Sequence, residues 1–121
     1  TLFAGGCGRV FEGTHAQMLQ SLQKLKALPA DTLVFCGHEY TEANLRFAAH
    51  VEPQNEKISA RQTLVSELRT SGEASLPCSI QDEHDTNPFL RTDQESVISF
   101  SGSTGNEADV FAAVRTAKDN F

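Results

Sequence analysis

The chain is poor in the residues from which metal and redox centres are assembled. It has three cysteines, Cys7, Cys36 and Cys78, and four histidines, His15, His38, His50 and His84, with no His-x-His or Cys-x-x-Cys pairing among them. A metal site needs at least about three converging donors, so any such site is incomplete within this sequence. The odd number and wide spacing of the cysteines fit reduced thiols in a cytosol-like compartment better than a disulfide framework. Positive charge is scarce as well. Ten Lys and Arg against sixteen Asp and Glu give a formal net charge of -6, which argues against a nucleic acid as partner, because phosphate binding is driven by clustered positive charge. No apolar run approaches the roughly eighteen residues of a membrane-spanning helix, and no repeat or low-complexity tract is present. The glycine-rich stretch Gly5-Gly6-Cys7-Gly8 lacks both the Gly-Lys-Ser/Thr ending of a phosphate loop and the spacing of a dinucleotide fingerprint.

What is present is enough for one core, since 121 residues are too few for two ordinary domains. The chain begins at Thr1 without an initiator Met and enters at once an apolar, Gly-rich run that looks like a strand cut open, so a C-terminal fragment is expected. Thr1 to Ala4 reads as β, followed by a tight glycine turn. Thr14 with Gln17 forms a capping-box pattern ahead of Met18, Leu19, Leu22 and Leu25 at helical spacing, and Pro29 stops the run. Thr32 to Cys36 reads as a buried strand. Strand, helix, strand predicts a βαβ-like or layered α/β unit.

From Thr41 onward the pattern is helical. Thr41 is expected to cap a helix carrying Leu45, Phe47 and Ala48, and Asn55 another with Ile58, Leu64, Val65 and Leu68, closed by Gly72. Ser79 caps a short turn, Asn87-Pro88 marks a boundary, and a short helix is expected over Asp93 to Phe100. After the loop Ser101 to Gly105, Asn106 caps a last helix whose buried stripe is predicted as Val110, Ala113, Val114, Ala117 and Phe121. Arg115 and Lys118, three apart, fall together on its flank. They are either a grip for a carboxylate-bearing ligand or a solvated face near a helix C-terminus, where positive charge is favoured anyway.

His38 follows an apolar strand, the position where α/β proteins present side chains to a cleft, and reads as a ligand, a base or a hydrogen-bonded structural imidazole. Cys36 suggests either a thiol activated by that imidazole or a small buried apolar group, with no third orienting residue in sight. His15, His50 and His84 read as surface or capping residues.

The blocks Thr1-Leu2-Phe3-Ala4-Gly5-Gly6-Cys7-Gly8-Arg9, Cys36-Gly37-His38-Glu39-Tyr40-Thr41, Asn44-Leu45-Arg46-Phe47-Ala48, Val51-Glu52-Pro53, Asn87-Pro88-Phe89-Leu90-Arg91 and Ala113-Val114-Arg115 with Lys118-Asp119 occur in order along the chain. Together they strongly resemble glyoxalase II, the hydroxyacylglutathione hydrolases of the metallo-β-lactamase superfamily. The resemblance implies that residues 1–40 are the C-terminal part of an αββα sandwich and residues 41–121 a helical glutathione-binding domain. It implies two divalent metal ions, zinc or iron, of whose ligands only His38 lies here. These ions would lower the pKa of a shared water and polarise a thioester carbonyl; the departing thiolate, with a pKa near ~8.5, needs no strong acid.

By the same resemblance Arg9, His38, Tyr40, Arg115 and Lys118 would contact glutathione. Phe11, at a position that is Tyr in some members, would contribute packing and backbone contact only. The implied reaction is hydrolysis of S-D-lactoylglutathione to D-lactate and glutathione in methylglyoxal degradation. The implied protein is a cytoplasmic monomer, with a mitochondrial isoform as the other location, and with no membrane or nucleic acid partner. The fragment alone, holding no catalytic residue, is expected to be inactive. The rivals are a non-catalytic glutathione-binding domain and another enzyme of the fold acting on glutathione conjugates, such as a persulfide dioxygenase.

Overall fold

A computed structural model describes all residues, 1–121. Its regular elements are β1 (Leu2–Phe3), β2 (Gly6–Cys7), α1 (His15–Lys26), β3 (Leu33–Val34), α2 (Thr41–Val51), α3 (Glu56–Thr70), β4 (Cys78–Ser79), α4 (Ile80–Thr86), a 3-10 turn at Pro88–Leu90, α5 (Glu95–Ser101) and α6 (Glu107–Asp119). The chain is a small helical domain of six helices with two small sheets.

The helix starts follow local chemistry. Gln17 N–H donates to Thr14 Oγ1 at 3.1 Å while Thr14 N–H donates to Gln17 Oε1 at 2.9 Å, which satisfies two amides that the first turn leaves unpaired. Reciprocal boxes also open α4, from Ser79 and Asp82, and α6, from Asn106 and Asp109. Asn55 caps α3 by accepting from Lys57 N–H. The start of α2 differs from expectation: the cap position is Tyr40, which makes no side-chain capping bond, and Thr41 is already helical.

The strands correct the βαβ reading. β1 pairs antiparallel with β2 (Leu2 with Cys7, Phe3 with Gly6), and β3 pairs antiparallel with β4 (Leu33 with Ser79, Val34 with Cys78). The first and second predicted strands therefore lie in separate two-stranded sheets. Nor is the second one buried, since Leu33 and Phe35 are 58% and 74% exposed. Its partner, Cys78–Ser79, carries no alternating pattern for sequence reading to detect. The β1–β2 turn needs its glycines: Gly5 has φ +74°, costly for any side chain. A Cβ on Gly6 would fall 2.7 Å from the Asn44 side chain.

The core is built on aromatic contacts between helices. Phe47 of α2 lies 6.2 Å from Phe89, and Phe89 lies 5.7 Å from Phe111 of α6. Leu19 and Leu22 of α1, Val97 of α5 and Cys7 of β2 join the same cluster, so the hairpin and α1 share one apolar interior with the later helices. On α6 the buried face is Val110, Phe111, Val114 and Arg115, while Phe121 lies beyond the helix and is 61% exposed. Two histidines are more than surface residues. The His15 ring packs 5.9 Å from Phe111, and a ring nitrogen of His84 lies 2.8 Å from the Lys26 carbonyl that ends α1.

Glu52, next to the C-terminus of α2, takes a bidentate grip from Arg91 at 2.7 and 3.0 Å and a bond from Ser96 at 2.6 Å. Burial alone would raise its pKa, but the bonds from Arg91 and Ser96 and the Arg91 charge outweigh it and hold the carboxyl below its ordinary value. A carboxyl depressed in the folded state contributes stability that is complete above the unfolded pKa of about 4.3 and is lost as pH falls through the folded value. Glu52→Gln should therefore cost about 1.5–3 kcal/mol near neutrality. Urea melts at a series of pH values should show that deficit shrinking as the solution is acidified below the carboxylate range.

Candidate functional site

The site is arranged around the backbone of the N-terminal hairpin, which side chains from the helical part hold atom by atom. Glu83 Oε1 accepts from Gly5 N–H at 2.8 Å, Asn44 Nδ2 donates to Ala4 O at 3.0 Å, and Asn87 Nδ2 donates to Gly6 O at 3.0 Å. Arg115 completes the set, its Nη1 donating to Cys7 O at 2.6 Å and, more weakly, to Gly8 O at 3.4 Å. The glycines let these groups approach, and the result fixes where Arg9 leaves the sheet.

Arg115 is therefore not the flank cation that its sequence position suggested. Its side chain is only 5% exposed, Nη2 pairs with Asp119 Oδ1 at 3.0 Å, and the guanidinium sits 5.1 Å over the Phe89 ring. Its Nε is the one nitrogen left without a partner. Asp119 reaches in the other direction to Arg9 Nε at 3.5 Å. An Arg115–Asp119–Arg9 chain thus joins the core to a half-exposed cation.

Lys118 makes no ion pair, and its ammonium lies 5.7 Å from the centre of the Phe47 ring. Partial burial first, then the charge of Arg115, and further those of Arg46 and Arg9, lower its pKa, with Asp119 opposing. A cation in such company would be relieved by an anion.

On the neighbouring edge, His38 and Tyr40 stack with ring centroids 4.8 Å apart and planes within 4°. Tyr40 also meets Phe3 of β1 edge-on at 5.2 Å, and Phe3 lies against Gly8. Contacts thus run from His38 through Tyr40 to Phe3 and, separately, from Arg9 through Asp119 to Arg115, while Lys118 feels the charges of Arg115, Asp119 and Arg9. Phe11 stands apart, 86% exposed. Sequence reading overlooked the groups that hold this arrangement, namely Asn44, Glu83, Asn87 and Asp119. The signal available for them was the Gly5–Gly6 pair, whose bare backbone invites close polar partners, and the i, i+4 spacing of Arg115 and Asp119.

The thiol reading finds no support in the geometry. Cys36 Sγ faces the His38 carbonyl oxygen at 3.5 Å. Burial, opposed by Arg115, pushes the Cys7 thiol up to about 11; burial and the Glu83 charge push Cys78 to about 12. Thiols so disposed are not nucleophiles near neutral pH. These residues do not by themselves make a complete metal site. No three His, Cys, Asp or Glu side chains converge, and His38 alone cannot hold zinc or iron. No helix is long and apolar enough to cross a membrane.

Comparison with known proteins adds a family. A model described as hydroxyacylglutathione hydrolase C-terminus matches residues 39–121. A hydroxyacylglutathione hydrolase of Aeromonas salmonicida is 54% identical over the whole of this chain and 50% of its own length. Those of Rhodospirillum rubrum and Ectopseudomonas mendocina are 50% and 54% identical, again over the whole chain and over 48% and 49% of their own lengths. The chain spans about half the length of the curated relatives it matches.

Because Arg115 serves buried carbonyls and a carboxylate at once, Arg115→Ala should destabilise the protein by about 3 kcal/mol. Arg115→Lys should recover only part of that, since an ammonium cannot reproduce the planar fork. Denaturant melts of the two variants check both expectations; an unchanged midpoint in Arg115→Ala would mean that the buried contacts contribute nothing.

Proposed function

The chain belongs to the hydroxyacylglutathione hydrolase family through the C-terminal domain of those enzymes, and from that premise we propose that it is the glutathione-recognising part of a thioester hydrolase acting on S-D-lactoylglutathione. The observation that carries this reading is the unpaired Lys118 within reach of the charges of Arg115 and Arg9, the latter held by Asp119. Glutathione ends in a glycine carboxylate, and Lys118 and Arg9 offer it charge-assisted bonds. Asp119 holds Arg9 ready, and Arg115 holds Asp119 and the hairpin carbonyls. The Tyr40 hydroxyl offers a further bond, and the exposed Phe11 an apolar surface for the peptide.

The division at residues 40 and 41 belongs to the same proposal, with the first forty residues completing a sandwich whose remainder belongs to the longer polypeptide. His38 is proposed as a single donor to a metal ion whose other ligands are not among these residues. What the chain's own groups do is bind and orient the thioester. A cytoplasmic, monomeric enzyme of methylglyoxal degradation is the setting we propose.

The test is kinetic and uses the full-length enzyme. Lys118→Ala should raise KM for S-D-lactoylglutathione about tenfold with kcat little changed, the pattern of lost binding that is equal in ground and transition states. Raising the salt concentration should weaken the parent enzyme's binding more than the variant's, because one charge pair is already gone. A variant with the parent's KM would make Lys118 a solvated charge and remove the support for this reading.

A further inference from the structure

Between His38 and Tyr40 stands a carboxylate that faces the opposite way. The two rings lie on the exposed side, and neither makes a hydrogen bond through its polar atoms, so their stacking and the edge of Phe3 are all that orient them directly. Glu39 instead turns toward the loop after α3. Its Oε1 accepts from Ser75 N–H at 2.6 Å and its Oε2 from Ser75 Oγ–H at 2.7 Å. Ser75, itself 9% exposed, lies 2.6 Å through its Oγ from Thr41 Oγ1, and Arg69 of α3 approaches Glu39 Oε1 at 3.9 Å.

We propose that Glu39 is a positioning residue: by locking onto Ser75 it fixes the backbone between His38 and Tyr40 and so presents both rings, stacked, to the ligand face. The segment joining β3 to α2 has no ladder of its own over residues 35–40. Two charge-assisted bonds at its middle residue supply the restraint that regular structure does not. Glu39 itself touches no substrate in this arrangement. The inference rests on the functional reading above in taking Tyr40 as a glutathione contact, but the stacking that it explains is independent of that reading.

The experiment takes the full-length enzyme with Glu39→Ala, Glu39→Gln, Tyr40→Ala and the double variant Glu39→Ala with Tyr40→Ala. Glu39→Ala should raise KM for the glutathione thioester on the order of tenfold, the scale of a misplaced binding group. Glu39→Gln should restore most of the loss, because its amide oxygen still accepts from Ser75. In the Tyr40→Ala background, removing Glu39 should add little to KM, since the glutathione contact that it positions is already gone. The ring-current displacement of the His38 ring protons, which stacking on Tyr40 produces, should collapse in Glu39→Ala and survive in Glu39→Gln.

The proposal is overturned if Glu39→Ala keeps both KM and that displacement, or if the costs of the two alanine substitutions simply multiply. If Tyr40→Ala raises KM while Glu39→Ala does not, the positioning role alone fails. If Tyr40→Ala leaves KM untouched, the functional reading fails and the positioning role fails with it. Should Glu39→Ala not fold, Ser75→Ala removes one of the two bonds and carries the same test.

Discussion

The carboxylate of Glu83 has no access to water, and its charge must be met from inside the protein. Gly5 N–H and Asn87 Nδ2 satisfy one oxygen, while Arg61 Nη1 meets the other at 2.5 Å. Arg61 is itself 9% exposed and passes the constraint on to Thr86 at 2.7 Å. Removing two charges from water costs several kcal/mol for each, so a pair of this kind is weak evidence of net stability. What the group secures is geometry. Only one placement of the hairpin against α3 and α4 gives Gly5, Asn87 and Arg61 their common acceptor, and a hairpin displaced from it would strand a buried charge.

The remaining anchors respond to that placement. With Gly5 fixed by Glu83, the carbonyls of Ala4, Gly6 and Cys7 point at Asn44, Asn87 and Arg115. Three separate stretches of sequence, at Asn44, at Glu83 with Asn87, and at Arg115, therefore close on the four hairpin residues Ala4 to Cys7. Gly5 and Gly6 are the condition for this, one by its positive φ and the other by leaving room for Asn44. The candidate ligand face inherits its order from the same contacts, because Arg9 comes next along the chain and Arg115 acts both as hairpin anchor and as neighbour of Lys118.

How much of this was legible in the sequence follows from the range of each interaction. Caps act within four residues, so Thr14 with Gln17, Asn55, Ser79 and Asn106 could all be read, and each begins a helix. Strand pairing acts across the chain. The partner of Leu33–Val34 is some forty-five residues away in a two-residue strand without alternation, so the local pattern suggested a βαβ unit where two antiparallel pairs exist. The stripe on α6 is right at Val110 and Val114 but misses Phe111 and Arg115, the latter for another reason. A periodicity count treats arginine as polar and turns it outward, yet Arg115 falls one helical turn after Phe111 and goes inward with it. A buried guanidinium is stable there only because backbone carbonyls from the other end of the chain await it.

Family resemblance and physical geometry answer different questions about the site. The resemblance nominates His38, Tyr40, Arg9, Arg115 and Lys118 as a set without ranking them. Geometry ranks them, because a group whose donors are already engaged has less to offer a ligand than one whose charge is unmet. Arg115 has committed both terminal nitrogens, Arg9 is shared with Asp119, and Lys118 is unpaired among cations. The first is thus chiefly architectural, the second held in readiness and the third the strongest electrostatic demand for an anion. The same ranking explains why fold and recognition cannot be separated here. The group that draws the last helix onto the hairpin also holds Asp119, which pairs with Arg9, so whatever loosens the core at Arg115 also frees that exposed cation.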